Sequence, residues 1–335
     1  MSTMKAIVLD GFGGSDRLRL ADDVPLPEPG PGELRVRVAA AGVNRPDIVQ
    51  REGNYAPPPG ESEILGLEIA GVVDALGEGV GAWREGDRVL ALVAGGGYAE
   101  AVLARADHCM AVPDGLTLGE AACIPETYLT AWLNVFELGA LQNGEATLLH
   151  GGGGGVNTAA VQLCRAIVPD STVFVTASSG KLERVRSLGV HHVIDYRESD
   201  FAAEVRRLTD KRGVDVILDH VGGPYLAGNQ RSLAVGGRLV VIGVMHGASA
   251  EVNLASLMVK RQRILGSVLR SRPPTEKAGI IGRFGARALP LFAEGALAPL
   301  VSDRFPLERA AEAHRAMESS AHFGKIVLDV EPTLV

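Results

Sequence analysis

Five glycines in succession, Gly151 to Gly155, separate His150 from Val156, Asn157 and Thr158. A short apolar run, Ala146 to His150, precedes them, and a helix-like run, VNTAAVQLCRAI, follows. Glycine lets a turn tighten and lets backbone N–H groups approach a diphosphate, while the helix N-terminus adds about half a positive charge. Strand, glycine turn and helix in that order predict a dinucleotide held on Gly152, Gly153, Gly154, Gly155 and Val156. A flexible linker would not be flanked by a buried strand and an apolar helix. In the G-x-G-x-x-G register the third glycine is replaced by Asn157. Its bulk predicts a slightly displaced helix or a side chain turned toward the ligand. His150 itself reads as a capping or packing residue.

About twenty residues further on, the next strand ends in Thr176-Ala177-Ser178-Ser179-Gly180-Lys181. No Asp or Glu stands where one would bind a ribose 2′-hydroxyl. Ser178, Ser179 and Lys181 can instead give a 2′-phosphate charge-assisted hydrogen bonds, each worth about 1.5–3 kcal/mol. The expected cofactor is therefore NADPH rather than NADH. Gly222, Gly243, Val244 and Met245 close later strands, where ligands of parallel sheets bind.

The elements that must position these groups fall into two patterns. From Met4 to about Ala111, short apolar runs punctuated by Gly and Pro read as an all-β unit. From about Thr117, strands alternate with helical stretches of about ten residues, which demands right-handed crossovers and a parallel, doubly wound sheet. The fold class is α/β: a β-rich domain over residues 1–125, completed by residues 266–335, and a Rossmann domain over residues 126–265. The tail shows helices around Arg283 to Ala293 and Leu307 to Met317 and a last strand, KIVLDV.

The balance of 33 basic against 40 acidic residues, net −7 without long like-charge runs, excludes the footprint of a nucleic-acid binder. Three cysteines without CxxC spacing exclude a disulfide framework and a cysteine-rich zinc lobe. No run of 18 apolar residues and no export signal are read, so a cytoplasmic location and no membrane span are expected.

Taken in order, AGVNRPDIVQREGNYAPPPG, ILGLEIAGVV, GDRVLALVAGGGYAE, IPETYLTAW, HGGGGGVNTAAVQL and HFGKIVLD resemble the medium-chain dehydrogenase/reductase superfamily, in its zinc-free quinone oxidoreductase branch. NYAPPPG and VLRSR (268–272) look most like its tumour-suppressor-inducible NADPH quinone oxidoreductase subgroup. The resemblance spans essentially the whole chain. It implies a GroES-like first domain, a Rossmann domain and a homodimer.

Zinc-dependent members carry a Cys in the loop matching VNRPD and a His before the Glu of a GHE motif; here those positions are Asn44 and Leu67. Neither is an ordinary zinc ligand, and no metal is expected. Without a Lewis acid the acceptor must itself be electrophilic, which points to quinones and, more generally, α,β-unsaturated carbonyls.

The resemblance also implies site residues. Tyr55, held by Pro57-Pro58-Pro59, matches an active-site tyrosine. Asn44 and Asp47 occupy the former zinc-ligand loop, with a plain turn before Pro46 as the other reading. Thr130 is implied near the nicotinamide ribose and Tyr196 near the adenosine. Leu269, Arg270 and Ser271, with Phe323, Gly324 and Lys325, match segments that close over the nicotinamide; Lys325 also reads as a solvated surface residue. A serine that the subgroup carries in the glycine turn is Gly154 here.

The expected activity is zinc-independent NADPH:quinone oxidoreduction. Two alternatives stay open: reduction of enones, alkenals or enoyl thioesters, and a non-catalytic, crystallin-like NADPH-binding protein. A dimer is expected at the exposed edge formed late in the sheet by RLVVIGVMHG and RILGSVLRS.

Overall fold

The computed structural model describes residues 2–334. Its strands are β1 (Thr3–Leu9), β2 (Leu18–Pro25), β3 (Glu33–Val43), β4 (Glu68–Leu76), β5 (Arg88–Leu92), β6 (Ala101–Arg105), β7 (Cys109–Ala111), β8 (Ala146–His150), β9 (Thr172–Ala177), β10 (His192–Asp195), β11 (Val214–Asp219), β12 (Leu233–Val241), β13 (Arg263–Gly266), β14 (Val301–Pro306) and β15 (Lys325–Asp329). The chain divides into two compact units after Leu129 and after Leu269; the segment from Arg270 onward returns to the first unit. These divisions lie four residues later than the 125 and 265 suggested by the sequence pattern.

The first unit is built on a mixed seven-stranded sheet of order β14-β15-β3-β4-β5-β7, with β6 also paired to β3. Leu34, Val36 and Val38 of β3 are fully buried among Ile69, Val73, Val89 and Val102, while the alternating Arg35 and Arg37 point out. Each such apolar side chain contributes about 1.5–3 kcal/mol on burial. Past Val38, β3 turns to small residues, Ala39 to Gly42, and takes β15 as an antiparallel partner, Ile326 opposite Val43. That register sets Lys325 beside the end of β3, where the helix Arg45–Arg51 begins. The β1–β2 ribbon stands apart from this sheet. The pattern of apolar runs misses β2, because LRLADDVP is charged and largely exposed.

The second unit is a six-stranded sheet of order β10-β9-β8-β11-β12-β13 in which every pairing is parallel. Numbered within the unit this is 3-2-1-4-5-6, the doubly wound order whose switch point lies at the carboxyl ends of its first and fourth strands. All five residues of β8 are buried, as a strand covered on both faces requires. Leu148, Phe174, Ile217 and Leu239 pack against Phe201 and Val205. The helix Gly155–Ile167 leaves the sheet directly from the glycine turn. In the tail, the helix read around Arg283 to Ala293 is instead Pro274–Arg287 followed by the short Pro290–Ala293. Gly279, Gly282 and Gly285 weaken its helical signal, and Pro274, which reads as a breaker, sits in the first turn, where proline is tolerated.

Candidate functional site

In the second unit the turn after β8 is pinned from below. The amides of Gly151 and Gly152 donate to the Thr176 carbonyl at 3.0 and 2.9 Å, and that of Gly154 to the Gly151 carbonyl at 3.1 Å. Gly151 has φ +77°, and a Cβ there would lie 2.5 Å from Cε1 of His220. A Cβ on Gly152 would collide with Val175, and one on Gly153 would lie 2.5 Å from Cδ of Lys181, whose stem covers the turn. Gly154 is extended and starts the 13-residue helix. The amides of Gly153 and Gly155 have no partner among the described residues. Bare backbone donors at a helix N-terminus fit a diphosphate.

Asn157, at the third-glycine position, is buried, and its Nδ2 donates to the Gly151 carbonyl at 3.1 Å. Its Oδ1 is buried without a partner. The side chain thus staples the turn through its own amide, a role that neither sequence expectation named. Below it, Thr176 Oγ1 lies 3.0 Å from His150 Nδ1, and His150 Nε2 lies 2.7 Å from Asn229 Oδ1. Asn229 Nδ2 donates to Asp219 at 3.0 Å, which makes Nε2 the protonated nitrogen of His150. Burial pushes His150 down to about 3 and Asp219 up.

Ser178 is half-buried and Ser179 exposed after β9. The Ser179 hydroxyl donates to Asp195, which holds that carboxyl below its usual range. Lys181 is pulled down by burial. Tyr196, partly exposed, lies under Arg197 at 5.9 Å. Gly222 takes φ +89°, and a Cβ there would meet the Gly247 carbonyl at 2.5 Å. Gly243 follows the same loop, and Val244 and Met245 are half-exposed beyond it. Thr130 and Leu269, both buried, bound the unit.

In the first unit three distant segments meet. Lys325 Nζ contacts Glu68 Oε1 at 2.6 Å, Asn44 Oδ1 at 2.7 Å and the Val43 carbonyl at 2.9 Å. Asn44 Nδ2 donates to the same Glu68 oxygen at 2.9 Å, and the Glu126 amide donates to the other at 2.8 Å. Gly42 has no side chain because Glu68 occupies that space. Lys325 is therefore buried, not solvated, and its three N–H donors are matched by three oxygens. Asn44 likewise spends its amide inside the cluster. Leu67, beside it in sequence, is buried and apolar. Among the described residues no three His, Cys, Asp or Glu side chains converge as a metal site.

Asp47 is fully buried; its Oδ2 accepts from the Asn44 amide at 2.8 Å and from Tyr98 Oη at 3.0 Å. Burial pushes it up to about 6 against those bonds and Lys325. Tyr98 Oη lies 3.2 Å from His314 Nε2, and Arg51 Nη1 lies 3.4 Å from His314 Nδ1. Arginine only donates, so the bonds run from Arg51 through His314 and Tyr98 to Asp47. Burial and Arg51 push His314 down to about 3. At the outer end Arg51 pairs with Glu318 at 2.5 Å. Asp47 thus anchors the Asn44 loop from inside the protein.

Tyr55 is half-buried, with the Arg270 guanidinium 5.1 Å from its ring centre, a cation–π contact. Arg270 is buried and donates to the Ala94 carbonyl through Nε and Nη2 at 2.8 and 2.5 Å, and to the Tyr55 carbonyl through Nη1 at 3.3 Å. Burial, then Glu126, push Tyr55 up to about 12 against Arg270, so the phenol keeps its proton. Ser271 beside it is exposed. Phe323 is buried, and Gly324 takes φ +91° against the Leu300 carbonyl, which brings Lys325 into place.

Sequence reasoning missed Glu68, Tyr98, His314 and Glu126 in the first unit and Asp195 in the second. Glu68 follows the residue read as a lost zinc ligand, a signal that was available. The others have no local pattern.

Two family models match the chain: the alcohol dehydrogenase GroES-like domain over residues 30–114, and zinc-binding dehydrogenase over residues 188–328. The human synaptic vesicle membrane protein VAT-1 homolog-like is 34% identical over 98% of this chain and 82% of its own length. Rat quinone oxidoreductase is 32% identical over 97% of each chain. Among solved structures, the JamJ enoyl reductase has a TM-score of 0.88 at 28% identity over 98% of this chain and 100% of its own. A mycobacterial protein complexed with NADPH has 0.87 at 31%, and an NAD-dependent alcohol dehydrogenase 0.85 at 34%, each with the same coverage.

Proposed function

Given that the chain belongs to the medium-chain dehydrogenase/reductase superfamily and fits its zinc-free quinone oxidoreductase branch, we propose that it is an NADPH-dependent quinone reductase of the cytoplasm, acting as a homodimer. The observation that carries this reading is the Lys325–Glu68–Asn44 cluster, where an internal ion pair fills the neighbourhood of Asn44 with its donors spent. Such a site offers no Lewis acid, so it suits acceptors that delocalise charge themselves.

The amides of Gly153 and Gly155 would hold the diphosphate, and Lys181 with Ser178 a 2′-phosphate; Ser179 is drawn toward Asp195. Bound there, a reduced nicotinamide cofactor supplies hydride. Tyr55, whose proton burial retains, donates a hydrogen bond to the acceptor oxygen, and Arg270 fixes the Tyr55 backbone and ring. Enone or enoyl-thioester reduction is the second reading, favoured by likeness to the JamJ enoyl reductase.

Comparing kcat/KM on 1,2-naphthoquinone, a 2-alkenal and an enoyl-CoA tests the choice. The quinone is expected to be preferred, and Tyr55→Phe to lose about 10²–10³ in kcat, as for removal of one oxyanion donor. Preference for the thioester would move the assignment to the second reading. For the dimer, the edge strand β13 exposes Ile264, and the helix Leu254–Val259 exposes Leu254, Met258 and Val259. Light scattering should return twice 35.1 kDa, and the monomer mass would overturn it.

A further inference from the structure

We propose that Asp219, Asn229 and His150 are positioning residues for the cofactor: one buried hydrogen-bond chain ties the glycine turn to the loop after β11 and fixes the spacing at which a dinucleotide meets both. The proposal rests on the nicotinamide-cofactor reading above and lies wholly within the second unit.

β8 and β11 are the first and fourth strands of the doubly wound order and pair directly, Leu148 opposite Ile217. A dinucleotide crosses the crevice past their carboxyl ends, one mononucleotide half on each side. Side chains join those two ends from below. Asp219 closes β11; its Oδ1 accepts from the Val221 and Gly222 amides at 2.7 and 3.4 Å, and its Oδ2 from Asn229 Nδ2 at 3.0 Å. Asn229 Oδ1 then faces His150 Nε2 at 2.7 Å, and His150 Nδ1 faces Thr176 Oγ1 at 3.0 Å. Thr176 Oγ1 in turn accepts from the Gly151 amide at 3.2 Å. Asp219 accepts at both oxygens, so every bond runs one way: the Thr176 hydroxyl donates to His150, His150 to Asn229 and Asn229 to Asp219.

The four side chains are at most 1% exposed, and none holds an orphaned polar atom. Phe201 and Tyr225 pack against the His150 ring, each 4.8 Å away between centres. Burying polar groups costs desolvation that apolar side chains of the same volume would avoid, so packing alone does not call for them. What they supply is direction: matched donors and acceptors hold the two ends of the chain at one spacing. The loop held in this way carries another with it. The His220 and Val221 carbonyls accept from the Met245 and His246 amides at 3.1 and 2.9 Å, and the Gly223 amide donates to the Gly247 carbonyl at 2.8 Å. Gly222, at φ +89°, has no room for a side chain beside Val244. The turn of one mononucleotide half and the two loops of the other are thus set as a single surface.

Nitrogen NMR of the ligand-free protein at pH 7 should show His150 as the neutral tautomer with its proton on Nε2. That measurement needs no variant, and a proton on Nδ1 would overturn the proposal. In calorimetric titrations Asn229→Leu, which cuts the chain between the halves, should weaken NADPH binding about ten- to hundredfold. Adenosine 2′,5′-bisphosphate, which occupies only the half that holds the turn, should bind Asn229→Leu as it binds the native protein. Thr176→Val should weaken both ligands, and Thr176→Ser, which keeps the hydroxyl, should bind both normally. Equal losses for the two ligands in Asn229→Leu, or no loss for either, would overturn the positioning role while leaving the cofactor reading intact. A native protein that binds neither NADPH nor NADH would sink that reading and this proposal with it.

Discussion

The polar groups of the two units are organised in opposite ways. Around Asn44 in the first unit, side chains from β4, β15, two helices and the loops between elements satisfy one another, helped by two backbone groups: Lys325 with three oxygens, Glu68 with three donors, Tyr98 between Asp47 and His314. Around Gly153 in the second, the binding surface is backbone, with amides left open and glycines at positions where a Cβ would strike Val175, Lys181 or His220. A site that handles protons and charge needs side chains held by each other. A site that grips phosphate needs side chains removed.

The sharpest way to break this contrast is to remove the cation of the first unit. Lys325→Met leaves buried Glu68 uncompensated and should cost about 3–5 kcal/mol, read by urea unfolding. A loss below about 1 kcal/mol would mean the cluster is not integrated. Acid tests both units at once, because each buries a neutral histidine, His314 in the first and His150 in the second. Each has a folded value near 3 against an ordinary 6.5. The unfolded chain therefore binds the extra protons as pH falls below 6.5, so the contribution of each histidine is complete above 6.5 and declines by up to about 1.4 kcal/mol per pH unit below it. Unfolding measured between pH 7 and 5 in His314→Gln and His150→Gln should show, in each variant, a slope that differs from the native protein's by up to about 1.4 kcal/mol per pH unit, the contributions of the other titrating groups being common to all three. An unchanged slope would contradict the burial of these rings.

Gly152→Ala sharpens the other side. Its Cβ meets Val175 and Val185, so it should cost about 1–3 kcal/mol and weaken cofactor binding at least tenfold, by calorimetric titration. The smallest effect belongs to Gly154→Ser. That backbone is already extended, and a Cβ lies at an ordinary 3.6 Å from the Gly151 carbonyl. Stability should change by less than about 0.5 kcal/mol. A larger loss would show the turn to be more tightly drawn than its geometry indicates.

The same contrast explains what could be read from the sequence. The glycine turn, its strand and its helix are contiguous, and local pattern suffices to find them. The role of Lys325 depends on the register that sets Ile326 against Val43, and the grip of Arg270 on Ala94 joins residues 176 positions apart. Nothing near Lys325 in the chain distinguishes it from a surface lysine. Glu126 is likewise ordinary in sequence; only the fold ties its amide to Glu68, 58 positions away. Asp195 shows the same limit in the second unit: no acid ends β9, yet the neighbouring strand β10 supplies one to Ser179.

The central claim is that the glycine turn holds a reduced nicotinamide cofactor whose hydride passes to a quinone. Titrating the protein with NADPH and with NADH by tryptophan fluorescence, then adding 1,2-naphthoquinone and following the absorbance of the reduced cofactor, tests it most directly. Tighter binding of NADPH, followed by its quinone-dependent oxidation, is the predicted result. Failure to bind either cofactor, or binding without oxidation by quinones, would contradict the account.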